Sequence, residues 1–419
     1  MPFSKLGLLE PMQRVVEAVD YREPTPIQQQ TIPLILEGMD LIAQAQTGTG
    51  KTAAFALPIL QRLDAIETGP LRSSPRVLVL APTRELAQQV ADTFEEFANH
   101  MSHRIGVATI IGGENILDQL RQLEQGVDIV VATPGRLLEL IREEEIFFEE
   151  LLCLVVDEAD RLLALGFAEE LAQILDVLPK GRQSLLFSAT YPKKVEKITE
   201  QVMQSPSYIN VAGDVPTVTN ITQRAIEVNR LNRRPLLQHL IQKEEWKHVL
   251  IFVSSKRAAR NLAVKLRRNG IKADAFHGDL TQDERTWVLS QFKNRNIRVL
   301  VATDIAARGI DIQELSTVVN YDLPRSPVDY IHRIGRTGRA GAEGVAISFV
   351  DYNDMAHFSL IEKRTKVRVD REQVPGFELT GEAPEKKKGP PPKKGKRPSK
   401  KDKARAAADA EAPEESDNV

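Results

Sequence analysis

Two polar segments of this chain hold side chains whose types and spacing could do chemistry. The first places two glycines and three threonines around one lysine, in the order Ala45, Gln46, Thr47, Gly48, Thr49, Gly50, Lys51 and Thr52. Glycines let backbone N–H groups turn toward phosphate oxygens, the lysine supplies a point charge, and the last threonine can ligate Mg²⁺. In the second, Asp157 and Glu158 follow a strand-forming run, where one carboxylate can hold Mg²⁺ and its neighbour can deprotonate an attacking water. The two segments together predict hydrolysis of a nucleoside triphosphate.

Each segment also has a plainer interpretation when it stands alone. A Gly/Thr-rich turn can end in Lys-Thr by chance, and carboxylates at a strand end are often solvated loop residues. Phosphate binding is favoured because a short apolar segment at 40–43 precedes the loop and the helix-compatible stretch 53–62 follows it. Ala45 departs from the general pattern, which has a glycine at that position.

A third cluster lies far downstream, where arginines are interspersed with glycines between His332 and Arg339. An arginine that reaches a γ-phosphate from a separate domain stabilises the charge of the transition state. A surface patch of salt bridges is the alternative, and the phosphate loop in the first half of the chain favours the catalytic interpretation. Hydrolysis would then depend on closure of two domains.

The elements that must position these motifs are strands alternating with helices. Apolar runs of strand length recur from residue 40 to 210 and again from 249 to 349, and polar motifs directly follow most of those in the first half. This alternation predicts an α/β fold with two mostly parallel sheets, helices on both faces of each, and ligands at the carboxyl ends of the strands. The predicted strands are 77–80, 105–110, 129–131, 151–156, 184–187, 249–253, 273–276, 299–301, 318–321 and 345–349.

Two helices are predicted in more detail. The helix after residue 83 has one apolar face, formed by Leu86, Val90, Phe94 and Phe97. The helix after residue 281 begins with a capping box at 281–284. Its side chains Trp287, Val288 and Phe292 are expected to point inward.

Length and composition bound the class of protein. A chain of 419 residues exceeds the size at which one hydrophobic core stops growing, which predicts two domains and an additional segment. The one cysteine, Cys153, lies in an apolar run and is expected to be buried and unreactive. No apolar stretch approaches the roughly 18 residues that span a bilayer, and residues 1–13 lack the apolar core of a signal peptide. A cytoplasmic protein with no membrane partner is therefore expected.

Changes in composition along the chain predict where its units begin and end. A polar, turn-rich connector at about 205–222 shows no sustained periodicity. Beyond about residue 376, lysines and prolines precede an acidic end, which predicts a disordered basic tail that anchors nucleic-acid phosphates; a solubilising role is the alternative. The predicted units are an N-terminal region at 1–39, a phosphate-binding domain at 40–207, a linker at 208–222, a second domain at 223–375 and the tail at 376–419.

The chain resembles the DEAD-box ATP-dependent RNA helicases, because the phosphate loop, the sequence Asp157-Glu158-Ala159-Asp160 and the arginine cluster occur in this order. The resemblance covers about residues 3–350 and is strongest toward the compact bacterial RhlE-like branch. It implies two tandem RecA-like domains, ATP and Mg²⁺ as cofactors, and RNA, bound through its backbone, as the partner. It also implies that closure of the domains bends the RNA strand and separates short duplexes locally. Ribosomal or mRNA-decay ribonucleoproteins are the larger assemblies on which such a protein would act.

The resemblance assigns roles around the nucleotide. Residues 1–39 hold the Q motif, in which Gln28 would read the adenine edge, and Asp311 would bind the ribose. Without the other motifs, Gln28 would be interpreted as a helix-start residue. The nucleotide-binding set is the loop 45–52 together with Phe3, Tyr21, Pro26, Gln28, Gly309 and Asp311. Thr52 and Asp157 would hold the metal ion. The catalytic set is Lys51, Glu158, Arg336 and Arg339.

The resemblance also assigns residues to RNA and to coupling between the domains. Small residues and helix-start hydroxyls suit backbone contacts to phosphates, which fix register without reading sequence. The RNA set is Pro82, Thr83, Arg84, Gly112, Gly113, Thr133, Pro134, Gly135, Arg136, Thr303 and Asp304. The coupling set is Asp160, Ser188, Thr190 and His332, in which both hydroxyls would bridge toward the other two side chains.

Two positions depart from the family pattern. Asp20 stands where glycine commonly precedes the aromatic of the Q motif, and Ala164 replaces a common aspartate.

Three rival functions are weighed against the helicase. The first rival is an ATP-dependent RNA clamp with little unwinding, which shares every motif. A DNA translocase of the same superfamily is disfavoured by the Q motif and by the amino-acid sequence of the acidic motif at 157–160. A non-catalytic binding module is disfavoured because the whole catalytic set is present.

Overall fold

The computed structural model describes residues 2–45, 48–66, 74–101, 103–211, 221–307, 315–338 and 343–381. Five of the predicted site residues lie outside these ranges, namely Gln46, Thr47, Gly309, Asp311 and Arg339. Nearly all of the predicted tail lies outside them as well.

Seven parallel strands form the first sheet, in the spatial order β3-β4-β2-β5-β6-β1-β7. Its strands are β1 (Leu41–Gln44), β2 (Val77–Leu80), β3 (Val107–Ile110), β4 (Ile129–Ala132), β5 (Cys153–Val156), β6 (Gln183–Ser188) and β7 (Ser207–Asn210). Its helices are α1 (Glu10–Ala18), α2 (Pro26–Leu36), α3 (Lys51–Asp64), α4 (Arg84–Ala98), α5 (Ile116–Glu124), α6 (Pro134–Arg142), α7 (Ala159–Ala164), α8 (Ala168–Val177) and α9 (Lys193–Val202). A 3₁₀ helix, Phe3–Leu6, precedes them.

A second sheet of seven parallel strands follows, in the order β10-β11-β9-β12-β13-β8-β14. Its strands are β8 (Ile221–Glu227), β9 (Val249–Val253), β10 (Ala273–Phe276), β11 (Val299–Thr303), β12 (Thr317–Asn320), β13 (Gly344–Val350) and β14 (Arg371–Glu372). Its helices are α10 (Arg233–Lys243), α11 (Lys256–Arg268), α12 (Gln282–Lys293), α13 (Asp304–Ala307), α14 (Pro327–Ile334) and α15 (Met355–Thr365). A 3₁₀ helix, Arg230–Asn232, lies before α10.

Successive residues of the central strands enter different cores, because side chains alternate between the faces of a sheet. In β2, Val77 and Val79 belong to one apolar core and Leu78 and Leu80 to another. β9 divides its residues between two cores in the same way. Helices therefore cover both faces of each sheet, and the predicted fold class, two tandem RecA-like domains, is confirmed.

The central strands were predicted within a few residues of their observed bounds, whereas two features of the sequence were interpreted wrongly. The connector at 205–222 contributes strands at both ends, since β7 pairs with β1, and β8 begins at Ile221 and pairs with β13. Trp287 does not point inward. It is 56% exposed, while Val288 and Phe292 are buried and the capping box of α12 is present.

Candidate active site

The phosphate loop joins β1 to α3 and depends on backbone conformations that favour glycine. Gly48 has φ 83° and Gly50 has φ 87°, both in the left-handed region. A Cβ on Gly50 would also lie 2.6 Å from Nε2 of Gln28. Lys51 starts α3 and is buried, and its Nζ donates to the carbonyl of Ala45 at 3.1 Å. The ammonium therefore lies inside the loop, where a phosphate would be cradled.

Gln28 connects the start of α2 to this loop. Its Oε1 accepts from the backbone N–H of Thr25 at 2.8 Å and its Nε2 donates to the carbonyl of Gly50 at 3.2 Å. The first contact is half of a capping box, so the residue does serve as a helix-start residue. The second contact places its amide beside the phosphate loop, and reading of adenine by that amide stays a prediction.

The aromatic residues of the Q motif occupy different environments. Phe3 is buried, and its ring stacks at 6.5 Å on Tyr21, which is 39% exposed. Tyr21 is therefore the ring with a surface left for a base, while Phe3 supports it from the core. Asp20 has φ 55°, which explains why glycine suits this position, and aspartate is among the residues that tolerate the left-handed region.

The acidic motif is buried at the carboxyl end of β5. Asp157 and Glu158 are 3% and 6% exposed, and Glu158 has φ 50°, an uncommon conformation for a residue other than glycine. The carboxylate of Glu158 forms a buried ion pair with Arg161, one turn further along the chain. Arg161 is a site residue that the sequence did not predict, although its spacing of three residues on a helix could have indicated it.

The two neighbouring carboxylates have opposite pKa shifts. Burial raises the pKa of Asp157 to about 6, although the positive charge of Lys51 opposes this shift. Burial also acts to raise the pKa of Glu158, but Arg161, Lys51 and Arg336 outweigh it and hold that pKa below its usual range. The positive charge around Asp157 is therefore too small to offset the effect of burial on its pKa, whereas the positive charge around Glu158 more than offsets it.

Three residues of the predicted coupling set form a hydrogen-bonded group. Oδ2 of Asp160 accepts from the backbone N–H and the hydroxyl of Thr190, at 3.0 and 2.6 Å. The hydroxyl of Ser188 accepts from the N–H of Asp160 at 3.2 Å and donates to the carbonyl of Thr190 at 2.7 Å. These bonds fix the loop after β6 to the start of α7. Their role in coupling hydrolysis to unwinding stays a prediction.

His332, the fourth member of that set, reaches the same group from the second domain. Burial, together with the positive charges of Arg161 and Arg336, lowers the pKa of His332 to about 4, against the opposing effect of Asp160 and Glu158. Because Asp160, Glu158 and Arg161 belong to the first domain, the two domains meet at this point.

Domain closure is expected to weaken as pH falls from about 6.5 toward 4, because a solvated His332 would have the usual pKa of about 6.5 and His332 at the domain junction has a pKa of about 4. The open state then takes up the proton more readily, so the loss appears on the acid side. RNA-stimulated ATP hydrolysis, measured across this range, should decline less steeply in His332→Gln than in the wild type. Identical pH profiles would contradict this assignment.

The arginines of the downstream cluster have different partners. Arg333 binds both carboxylate oxygens of Asp304, at 2.5 and 2.7 Å, and stacks on Phe252. It therefore holds the second domain together internally. Arg336 is 5% exposed and close enough to Glu158 to lower its pKa. Arg339 lies outside the described residues.

The predicted RNA residues of the first domain gather around two guanidinium groups. The side chain of Arg84 covers Gly112 and Gly113, and a Cβ on Gly113 would lie 2.3 Å from its Nη1. Burial, and after it the positive charges of Arg285 and Arg136, lowers the pKa of Arg84, which places these cations near one another. Thr83 and Thr133 are the N-cap residues of α4 and α6, Pro82 and Pro134 are buried beside them, and Gly135 is exposed. Helix N-termini and cations together suit a phosphate backbone.

The predicted RNA residues of the second domain lie at the carboxyl end of β11. Thr303 ends β11 and Asp304 begins α13. The carboxylate of Asp304 is held by Arg333, so contact with RNA through that carboxylate would require this ion pair to loosen; its assignment to RNA stays a prediction. Ala164 is exposed at the end of α7.

A buried ion pair between Glu85 and Arg285 joins the two domains beside the RNA residues. Nε and Nη2 of Arg285 both lie 2.5 Å from Oε1 of Glu85, and both side chains are 8% exposed. Arg285 also stacks on Phe276 at 4.5 Å and donates to the carbonyl of His277 at 3.3 Å. The sequence did not predict this pair, because its members are 200 residues apart.

Glu85→Gln and Arg285→Gln are each expected to lower kcat/KM of RNA-stimulated ATP hydrolysis at least a hundredfold, since breaking a buried pair costs about 3–5 kcal/mol. The double variant should be no worse than the poorer single one, because each side chain acts through the other. Charge reversal is a weaker test, since an arginine at 85 would adjoin Arg84. Asp118→Asn with Arg121→Gln, an exposed pair at 2.8 Å, is the matched control and should have little effect. Additive losses in the cycle would contradict the pairing.

Comparison with known proteins assigns the chain to a family. Residues 25–198 match the family described as DEAD/DEAH box helicase, and residues 232–341 match the helicase conserved C-terminal domain. The chain is 42% identical over 376 residues to the ATP-dependent RNA helicase CshA of Listeria monocytogenes. The aligned residues make up 90% of this chain and 71% of that protein. The chain belongs to the DEAD-box RNA helicase family. It is accordingly an ATP-hydrolysing, ATP-dependent RNA helicase.

Further relatives agree with this assignment. The DEAD-box chain is 39% identical to the ATP-dependent RNA helicase DeaD of Escherichia coli, over 90% of this chain and 59% of that protein. Its structure resembles Saccharomyces cerevisiae Dbp5 bound to RNA and ADP BeF3, with a TM-score of 0.79 and 33% identity, over 89% of this chain and 95% of that one.

Two further findings concern membranes and metals. No helix in the described part of this DEAD-box protein has the length and apolar character that crossing a membrane requires. Within the same residues, no group of three or more His, Cys, Asp or Glu side chains is arranged to hold a metal ion.

Proposed function

We propose that this helicase hydrolyses ATP only when its two domains meet, and that ATP and RNA together stabilise that arrangement. The observation that carries the proposal is the position of Arg336, which is buried in the second domain and lowers the pKa of Glu158 in the first. Charges from both domains thus act on one carboxylate. The ion pair of Glu85 with Arg285 supports the same arrangement at the RNA-facing end of the junction.

Catalysis is proposed to divide among four residues. Lys51 binds the phosphates from inside the loop, and Glu158 takes a proton from the water that attacks the γ-phosphorus. As the new bond forms, the bond from the γ-phosphorus to the bridging oxygen breaks and ADP leaves with the electrons of that bond. Arg336 and Arg339 neutralise charge that develops on the γ-phosphate oxygens. Arg161 must release part of its hold on Glu158 for this, because the ion pair keeps the pKa of that carboxylate low.

Mg²⁺ fits the proposed site by the chemistry of its donors. Asp157 is buried, and its raised pKa indicates that a positive charge near its carboxylate would be stabilising. Mg²⁺ usually binds through one or two protein ligands together with phosphates and water, which suits Asp157 and the hydroxyl of Thr52. When bound, the ion would neutralise charge on the β- and γ-phosphate oxygens.

Nucleotide and RNA would bind on neighbouring surfaces. The adenine is proposed to stack on Tyr21 and to pair with Gln28, whose amide would exchange its contact with Thr25 or Gly50 for the base. Phe3 and Pro26 support this pocket, and ribose binding by Gly309 and Asp311 follows from the family resemblance alone. RNA is proposed to bind through its backbone at Arg84, Arg136 and the helix N-termini that begin after Thr83 and Thr133, continuing to Thr303 and Asp304.

Strand displacement distinguishes a helicase from an ATP-dependent clamp. A short labelled RNA duplex with a single-stranded extension should be separated over repeated rounds with ATP, whereas a non-hydrolysable analogue should support at most one round per helicase molecule. Stable, ATP-dependent binding of the same RNA without release of the labelled strand would favour the clamp instead.

Three finer assignments rest on the family resemblance. We place the chain near the RhlE-like branch, although the relatives reported above carry the names CshA and DeaD. Action on ribosomal or mRNA-decay ribonucleoproteins and a cytoplasmic location are proposed on the same basis. Backbone contacts carry no sequence code, so the RNA target has to be identified by crosslinking in cells.

A further inference from the structure

Helix α11 of the second domain exposes a strongly basic face. Residues 256–272 include seven basic side chains and no acidic one, although the whole chain has a net charge of −2. Ala259, Leu262, Ala263 and Leu266 anchor the helix in the core. Every basic residue of this segment is exposed. The segment therefore presents its charge to solvent and not to the sheet.

Of the six basic residues of α11 itself, three have no acidic partner among the described residues. Lys256 and Arg260 pair with Asp279, and Arg267 pairs with Asp274. By contrast, no described residue forms an ion pair with the remaining three of the helix, Arg257, Lys265 and Arg268, here called the α11 stripe. At 100° per residue, these three project within an arc of about 80°, and they span roughly 17 Å along the helix. Unpaired charges on one line suit an extended partner of opposite charge.

The stripe begins close to the proposed RNA surface. Nε of Arg260 donates to Nε2 of His277 at 2.8 Å, and the carbonyl of His277 accepts from Arg285. Arg285 in turn pairs with Glu85, next to Arg84. Residues in contact thus lead from the RNA-facing surface of the first domain to the N-terminal turns of α11, from which the stripe runs outward.

We propose that the α11 stripe binds the phosphate backbone of RNA that extends beyond the strand held between the domains. This inference rests on the proposed RNA surface and extends it along α11. The charges of Arg257, Lys265 and Arg268 contribute affinity without reading sequence, since phosphates carry no base code. Their contribution depends on RNA length, because a short strand that fills the junction does not reach the stripe.

The test compares two triple variants of the full chain with the wild type. Arg257→Gln, Lys265→Gln and Arg268→Gln remove the stripe, whereas Lys363→Gln, Arg364→Gln and Arg368→Gln remove the same charges from exposed positions on and after α15 of the same domain. Fluorescence anisotropy measures binding of single strands of about 8 and about 30 nucleotides over a salt series, with a non-hydrolysable ATP analogue. ATP hydrolysis stimulated by the short strand is recorded in parallel.

The stripe variant is expected to bind the long strand on the order of tenfold more weakly and with a log–log salt slope shallower by about 2, as for the loss of three phosphate contacts on a single strand. Its binding of the short strand and its ATP hydrolysis should equal those of the wild type. Unchanged affinity for the long strand, an equal loss in the α15 variant, or an equal loss with the short strand would each overturn the proposal.

Two further outcomes separate the proposals. Binding of poly-glutamate that depends on the stripe, combined with unchanged RNA affinity, would assign the surface to an acidic protein and contradict the RNA proposal. Failure of the short strand to stimulate ATP hydrolysis by the wild type would instead contradict the proposed function of the junction, whatever the stripe variant does with long RNA.

Discussion

Replacing Arg336 by glutamine is expected to lower kcat for RNA-stimulated ATP hydrolysis by about 10³–10⁵-fold, the range that an arginine contributes when it stabilises phosphoryl-transfer charge from a separate domain. The guanidinium is buried and acts on Glu158 across the junction, so water cannot replace its charge. Steady-state kinetics at saturating ATP and RNA measure the effect. Binding of RNA with a non-hydrolysable ATP analogue should fall much less than kcat.

The controls for Arg336 separate charge from structure. Arg336→Lys keeps a positive charge but not the planar fork, so its kcat should lie between those of wild type and Arg336→Gln. Arg325→Gln changes an exposed arginine of the same domain and should leave kcat unchanged. Thermal unfolding of each variant shows whether the fold is retained. A kcat near that of the wild type in folded Arg336→Gln would remove this residue from the catalytic set.

Replacing Glu158 by glutamine is expected to lower kcat by about 10²–10⁴-fold, as for the loss of a general base. Glutamine has nearly the same shape and can still accept from Arg161, which limits the structural cost of the change. Binding of ATP and RNA should persist, so the variant is expected to hold both ligands without turnover. Single-turnover hydrolysis and RNA binding with ATP provide the two measurements.

The matched control for Glu158 is Glu169→Gln, an exposed glutamate at the start of α8, for which no effect is expected. Glu158→Gln with wild-type turnover would mean that another group accepts the proton. Loss of RNA binding together with turnover would point to a structural role through the ion pair with Arg161.

Much of the fold was predictable because its central strands are apolar and buried on both faces. The runs at Val77–Leu80, Val249–Val253 and Ala273–Phe276 were predicted with their observed bounds. The edge strand Ser207–Asn210 was not predicted. Its residues alternate between half-buried and exposed, and its composition is typical of a turn. Trp287 was assigned to the core on its side-chain type, although its position on α12 faces solvent.

The site was predictable in its local motifs and unpredictable where distant residues meet. The glycines of the phosphate loop and the acidic pair are contiguous in sequence, so their chemistry could be inferred from spacing. Two contacts had no such signal: the ion pair of Glu85 with Arg285, and the hydrogen bond from Gln28 to Gly50. The partner of Asp304 was also unforeseen, since Arg333 lies in a cluster whose other arginines are assigned to phosphate.

Cys153 shows the value of the simpler interpretation. Its apolar neighbours predicted a buried, unreactive thiol, and burial does raise the pKa of that thiol to about 12. A thiol of this kind is almost entirely protonated at neutral pH and is a poor nucleophile.

The most direct test of RNA-dependent assembly of the site is ATP hydrolysis by the wild-type chain, measured in parallel without nucleic acid, with RNA and with DNA of the same sequence. If closure around RNA brings Arg336 to Glu158, hydrolysis should be slow alone, strongly stimulated by RNA and weakly or not at all by DNA. Equal rates in all three reactions would show that the site is complete without RNA and would contradict the account.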